Sequence, residues 1–162
     1  MHRESQVEPS KGTVGPGRRP LGLIIADDEP DTVLMLATIM ADEGHNVVSV
    51  HNGYSVLAAA SKELPDAIIV DIDMPGISGW TVAREIRAIY GERSPLLIAI
   101  SGKWIGQTDR MLSELAGFSH FLSKPCDPRV VIGLLEPLRR LPPSTDPGSA
   151  EDTVVPRATT PR

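Results

Sequence analysis

The sequence predicts an α/β fold in which helices cover both faces of a parallel β-sheet. Five short apolar segments alternate along the chain with five segments of helical periodicity. The apolar segments are hydrophobic on both faces, as the buried strands of parallel sheets are. Proline or glycine stands at many of the borders, where it ends one element or begins the next. Together these patterns indicate a three-layer α/β/α sandwich.

The predicted elements have the usual lengths of such a fold. We expect strands over 21–26, 46–50, 66–70, 95–101 and 119–123. We expect helices over 30–44, 54–64, 80–91, 106–117 and 128–140. Pro30 suits the first turn of its helix, and Gly44 and Gly91 suit helix C-termini. Arg139 and Arg140 place favourable positive charge in the last turn of the final helix.

Residues 21–141 are predicted to form one domain between two disordered tails. Residues 1–20 are rich in proline and glycine, and residues 142–162 are rich in proline, serine and threonine. Such segments cannot bury enough apolar surface to offset the entropy of ordering their backbone. The tails are therefore left out of the predicted fold.

Composition excludes several classes of function. The net charge of −5 gives no electrostatic reason to expect nucleic acid or an anionic membrane as the main partner. A single cysteine, Cys126, excludes an intramolecular disulfide and a multi-cysteine zinc site. No apolar run approaches the roughly 18 residues of a membrane span, and the N-terminus has no signal-peptide core. We therefore expect a cytoplasmic protein.

Charged and hydroxyl side chains follow four of the five predicted strands. Because the carboxyl ends of parallel strands meet at one edge of a sheet, these side chains should form one site. Clustered carboxylates repel one another and need a cation, and hard oxygen ligands suit Mg²⁺. A carboxylate beside such a cation can accept a phosphoryl group, whose charge a lysine and a hydroxyl would balance. The residues are Asp27, Asp28, Asp71, Asp73, Ser101 and Lys124.

Four motifs carry a resemblance to a known family. "ADDEP" (26–30), "VDIDMPGISGW" (70–80), "AISG" (99–102) and "FLSKP" (121–125) resemble the receiver domain of two-component response regulators. The intervals also agree, with 43 residues from Asp28 to Asp71, 30 to Ser101 and 23 more to Lys124. The resemblance covers residues 21–141. It implies a stand-alone, CheY-like receiver with a flavodoxin-like sheet of strand order 2-1-3-4-5.

The resemblance also implies roles for the acidic residues. Asp71 corresponds to the phosphoacceptor. Asp28 corresponds to a direct ligand of Mg²⁺ or Mn²⁺, and Asp27 to a ligand acting mainly through water. Asp71 itself and the backbone carbonyl of Asp73 complete the implied metal site.

The remaining family positions concern switching and phosphoryl lifetime. Ser101 corresponds to the switch hydroxyl, Phe121 to the switch aromatic, and Lys124 to the lysine that pairs with the carboxylate or phosphoryl group. Asp73 and Lys103 occupy positions that flank the phosphoryl group, and we expect them to pair and shield it. Cys126 departs from the family pattern, in which phenylalanine often follows Lys-Pro.

The function implied is a signalling switch rather than an enzyme with a separate substrate. A histidine kinase or phosphotransfer protein would donate the phosphoryl group, and an unknown target would bind the surface over 105–140. The domain would catalyse only its own phosphorylation and dephosphorylation. Two alternatives remain at this point: a degenerate receiver that binds partners without phosphorylation, and a haloacid-dehalogenase-type phosphatase, which the Asp-x-Asp of 71–73 also resembles.

Overall fold

The computed structural model describes residues 5–7, 18–103 and 106–140, and within them five parallel strands alternate with five α-helices. A short 3-10 helix, Gly91–Arg93, follows the third α-helix. The strands are β1 Gly22–Ala26, β2 Asn46–Val50, β3 Ala67–Asp71, β4 Leu96–Ser101 and β5 His120–Ser123. The helices are α1 Pro30–Asp42, α2 Gly53–Lys62, α3 Gly79–Tyr90, α4 Gln107–Ala116 and α5 Pro128–Arg140. Their bounds differ from the predicted ones by at most two residues.

The five strands form a parallel sheet in the order β2-β1-β3-β4-β5, which confirms the predicted topology. Helices cover both faces of this sheet. Side chains of α1 and α5 pack on one face, and side chains of α2 and α3, with Ala116 of α4, pack on the other. Alternate residues of each strand point to opposite faces, so Ile68 and Val70 belong to one core and Ala67 and Ile69 to the other.

Local signals in the sequence set the helix starts. Asn52 accepts a hydrogen bond from the Ser55 N–H at 2.9 Å and caps α2. Ser78 caps α3 in the same way, through the Thr81 N–H. Pro30 begins α1, where its missing N–H removes one of the donors that have no intrahelical partner.

The first tail differs from the prediction in two places. Ser5–Val7 form a short strand, here called the edge strand, which pairs antiparallel with β2. Arg18 and Arg19 make ion pairs with the folded domain. Composition did not indicate these features because backbone pairing at a sheet edge needs few apolar side chains. The second predicted tail, 142–162, lies outside the described residues.

Among the helices that the structure describes, none is long and apolar enough to cross a membrane.

Candidate functional site

The carboxyl ends of four parallel strands bring the charged residues to one edge of the sheet. Asp71 is the last residue of β3, and Ser101 is the last residue of β4. Asp27 follows β1 directly, and Lys124 follows β5. The register aligns these ends, because Ala26 lies opposite Val70, Asp71 opposite Ile100 and Ser101 opposite Ser123.

Three carboxylates form a cluster at this edge. Oxygen atoms of Asp27, Asp28 and Asp71 all lie within 4.8 Å of one another. Asp27 and Asp71 are buried, at 5% and 4% exposure, whereas Asp28 is exposed. A cluster of hard oxygen donors with one open side suits a cation such as Mg²⁺, which retains several waters when it binds proteins.

Lys124 reaches into the cluster and contacts two of its members. Its Nζ lies 2.7 Å from Oδ2 of Asp27 and 3.3 Å from Oδ2 of Asp71. The shorter of these ion pairs goes to Asp27 rather than to the residue predicted to accept the phosphoryl group. The following peptide bond, Lys124–Pro125, is cis.

The electrostatics of the cluster remain unbalanced despite this lysine. Burial and the neighbouring Asp27 charge raise the pKa of Asp71, while the Asp73 N–H and Lys124 oppose that rise. Burial lowers the pKa of Lys124, but its hydrogen bonds and charge interactions with Asp27 and Asp71 outweigh that effect and raise it. Both shifts favour protonation, as expected where negative charge exceeds positive charge. An added cation would relieve that excess.

The loops beyond β3 and β4 carry the next layer of polar contacts. The Asp73 N–H donates to Oδ1 of Asp71 at 3.2 Å, and the Lys103 N–H donates to the buried Ser101 Oγ at 3.2 Å. Lys103 Nζ and Asp73 Oδ1 are 3.1 Å apart, so the predicted pair is present. It joins the two loops across the edge of the site.

Gly79, the first residue of α3, determines how closely that helix approaches Asp71. A Cβ at position 79 would lie 2.6 Å from the Asp71 carbonyl oxygen and 2.9 Å from the Ile72 Cα. Only glycine leaves room for this approach. The Gly79 N–H also donates to the Ile72 carbonyl, so the glycine and the hydrogen bond together fix the loop after β3.

Phe121 packs against the core on the side of α2 and α3. It is half-buried and packs against Trp80, with ring centroids 6.1 Å apart. Trp80 also meets Phe118 edge-on at 5.9 Å. The predicted switch aromatic therefore belongs to an aromatic cluster with Trp80 and Phe118.

A groove of about 400 Å³ opens beside Lys124, between α1 and the loop after β5. Sequence patterns did not indicate it, because residues from distant segments form its walls. Its lining is largely apolar and includes Met35, Leu36, Ile100, Pro125 and Cys126.

Comparison with known families agrees with this arrangement of strand ends. The model of the response regulator receiver domain family matches residues 23–136. The chain belongs to this family. Its CheY-like fold is therefore that of a signalling receiver domain, and the family match favours this over the phosphatase alternative.

Relatives and solved structures support the assignment. The chain is 29% identical over 110 residues to protein PilH of Pseudomonas aeruginosa, covering 68% of this chain and 90% of that protein. It is 31% identical over 117 residues to an uncharacterized 14.6 kDa protein of Leptolyngbya boryana, covering 72% and 88%. The chemotaxis response regulator CheY4 of Vibrio cholerae has a similar structure, with a TM-score of 0.67, 21% identity and coverage of 74% and 99%. This structural likeness concerns the fold alone.

Proposed function

We propose that the domain accepts a phosphoryl group on the Asp71 carboxylate from a phosphohistidine. The observation that carries this proposal is the position of Asp71, buried at a strand end between two other carboxylates and one lysine. A carboxylate oxygen of Asp71 would attack phosphorus, the phosphorus–nitrogen bond would break, and the imidazole would leave. A histidine kinase or histidine phosphotransfer protein would supply that phosphohistidine.

The acidic cluster fits a divalent cation, Mg²⁺ or Mn²⁺. Asp28 and Asp71 would hold it through carboxylate oxygens and Asp27 mainly through water, and Asp73 would add its backbone carbonyl. When bound, such a cation supplies positive charge that offsets the charge of the transferring phosphoryl group. The raised pKa of Asp71 supports the need for this charge.

Lys124 and Ser101 would act on the phosphoryl oxygens. Lys124 already touches Asp71, so its ammonium is placed to pair with an oxygen of the phosphoryl group. Ser101 is 3% exposed and its Oγ accepts from the Lys103 N–H, which leaves its own proton to donate. A shift of Ser101 toward the phosphoryl group would change the packing near Phe121, and this coupling would constitute the switch.

The signal would leave the domain through protein–protein contact over 105–140 or through phosphorelay. Helix α4 supports this role, because Met111, Leu112 and Leu115 are exposed at 65%, 48% and 80%. Unpartnered apolar side chains of this kind are typical of contact surfaces. We propose a cytoplasmic signalling domain without nucleic-acid or membrane binding and with no catalysis beyond its own phosphorylation and dephosphorylation.

Intact-mass spectrometry tests the acceptor. The protein is incubated with Mg²⁺ and acetyl phosphate beside Asp71→Ala and an exposed-site control, Asp31→Ala. We expect one labile phosphoryl group on the wild type and on Asp31→Ala, and none on Asp71→Ala. Absence of the gain in a folded wild-type protein would contradict the proposal and favour a receiver that acts without phosphorylation.

A further inference from the structure

A second cluster of charged residues lies at the opposite edge of the sheet from Asp71. Arg19 forms a two-point ion pair with Asp66, with Nη2–Oδ1 at 2.8 Å and Nη1–Oδ2 at 3.2 Å. Asp66 is itself fixed, because it exchanges hydrogen bonds with Gly22 and its carbonyl accepts from the Leu96 N–H. Arg19 is therefore anchored to the starts of β1 and β4. The cluster is remote from the phosphoryl-acceptor chemistry.

The same short segment also reaches the last turn of α5. The Arg19 N–H donates to the Arg139 carbonyl at 3.3 Å, and Arg18 Nη2 lies 3.4 Å from Glu136 Oε2. The last carbonyls of a helix have no intrahelical donor, so a partner from another segment satisfies one of them. Glu136 also pairs with Arg139, at 3.7 Å, and Arg139 is only 4% exposed.

The C-terminal half of α5 needs such support because its sequence is a poor helix former. Pro137 lies inside the helix and has no N–H to donate to the carbonyl of residue 133. That residue is Gly133, which has a low helix propensity of its own. The last turns therefore have one backbone hydrogen bond fewer than a regular helix, and contacts with other segments add to their support.

We propose that residues 18–21, here called the clasp, hold the C-terminal end of α5 against the sheet. The N-terminal end of α5 begins four residues after Lys124, so the helix runs from the phosphoryl-acceptor site to the clasp. With its far end fixed, movement of the proposed output surface is confined to α4 and the first half of α5. This last step rests on the proposed function, whereas the holding of α5 does not.

Hydrogen–deuterium exchange of the full chain tests the clasp. The double variant Arg18→Ala/Arg19→Ala removes both guanidinium groups, and Arg129→Ala is the matched control. Arg129 is an exposed arginine at the other end of α5 that pairs with its neighbour Asp127. We expect amides of 134–140 to exchange about tenfold faster or more in the double variant, since the Arg18–Glu136 ion pair is lost. The double variant also loses the Asp66 anchor that holds the Arg19 backbone N–H against the Arg139 carbonyl. The control should match the wild type.

Two outcomes would overturn the clasp: unchanged exchange over 134–140, or a uniform rise that includes β3 and β4. If the double variant does not fold, Arg19→Lys and Glu136→Gln take its place. Lysine keeps the charge but loses the two-point geometry, and glutamine weakens the Arg18 pair. Each should give a smaller rise at the same amides.

A second comparison adds Mg²⁺ and beryllofluoride, which mimics a phosphoryl group on a carboxylate. In the wild type, we expect exchange to change within 106–133 and to stay constant over 134–140. In the double variant, the change should extend through 134–140. An equal change in amide exchange over 134–140 in both proteins would contradict the proposal that movement is confined to α4 and the first half of α5. A wild type that responds nowhere would instead count against the proposed function, and the first comparison would still decide the clasp.

Discussion

At the residue scale, the position that suits Asp71 to accept a phosphoryl group also lowers the stability of the folded protein. Its carboxylate is buried beside Asp27, and both effects raise its pKa. When folding raises the pKa of a carboxyl, its charged form is less stable in the folded protein than in the unfolded chain. At neutral pH without a divalent cation, the residue that we propose as the acceptor therefore opposes folding.

We predict that Asp71→Asn raises thermal stability in chelator. The amide keeps the shape of the carboxylate but removes its charge, so the melting temperature should rise by roughly 2–5 °C. Adding Mg²⁺ should stabilise the wild type and have little effect on the variant. Thermal unfolding with EDTA and with Mg²⁺ measures both effects. Asp31→Asn, at an exposed position, is the control, and a lower melting temperature for Asp71→Asn in EDTA would contradict the argument.

The Lys103–Asp73 pair leads to a prediction about phosphoryl lifetime. The two side chains are 79% and 42% exposed, so the pair adds little to stability. It spans the loops beside Asp71, where it would hinder water from reaching a phosphoryl group. Lys103→Ala should shorten the half-life roughly two- to fivefold, equivalent to less than about 1 kcal/mol of barrier. The loss of the phosphoryl mass over time measures this half-life, and Lys62→Ala is the control. An unchanged half-life in Lys103→Ala would show that the pair does not shield the phosphoryl group.

The members of the site were predictable from sequence, but their pairing was not. Parallel strands bring their carboxyl ends to one edge, so Asp27, Asp71, Ser101 and Lys124 had to meet there. The sequence did not show that Lys124 would lie closer to Asp27 than to Asp71. Which carboxylate lies closer to Lys124 depends on the length and burial of the side chains, which strand order alone does not determine.

At the element scale, the alternating periods of hydrophobicity located the five parallel strands and the five α-helices. Strong local signals, such as Pro30 and Ser78, lie at helix starts and agree with the tertiary fold. The edge strand and the clasp lacked such signals. Both depend on contacts between segments far apart in the chain, and short polar segments carry no periodicity that would reveal those contacts.

Two glycines, one at the start of α3 and one within α5, should respond oppositely to alanine substitution. Gly79→Ala places a Cβ against the Asp71 backbone, so it should lower the free energy of unfolding by about 1–3 kcal/mol and reduce phosphorylation. Gly133→Ala, in open space within α5, should raise that free energy by roughly 0.5–1 kcal/mol. Urea unfolding of both variants measures the difference. Similar losses at both sites would show that close approach at Gly79 is not the cause.

At the scale of the whole molecule, polar residues are concentrated at the two edges of an apolar sheet. Asp71 and its neighbours lie at the carboxyl ends of the strands. His45 lies at the other edge, fully buried, where its Nδ1 accepts from the Leu21 N–H. Its Nε2 has no hydrogen-bond partner among the described residues. A protonated imidazole is poorly accommodated there.

Stability should therefore fall in mild acid. Burial, and then the charge of Arg139, lower the pKa of His45 from 6.5 to about 4, although Glu136 and Asp66 oppose this shift. The pKa of His45 is lower in the folded protein than in the unfolded chain. The contribution of the neutral imidazole to the free energy of unfolding is therefore complete above about pH 6.5. It is lost as the pH falls toward 4, by about 2–3 kcal/mol.

Chemical unfolding at pH 7 and pH 4 measures this loss in the wild type and in His45→Asn. Asparagine can accept from the Leu21 N–H but does not titrate. Carboxylates titrate in both proteins, so the difference between them isolates His45. We expect the variant to lose less stability than the wild type on acidification. Equal losses would mean that His45 does not govern the acid sensitivity of the fold.

The position of Cys126 decides how the protein can be labelled. It is the one thiol in the chain, and it lines the groove beside Lys124. Burial, with the neighbouring Asp127 charge, raises its pKa, so thiol-reactive reagents should attach there more slowly at neutral pH than to an ordinary exposed cysteine. A dye or spin label on the natural sequence would lie two residues from Lys124, where it reports on the groove and also obstructs it. Distance measurements between any other two points first require Cys126→Ser.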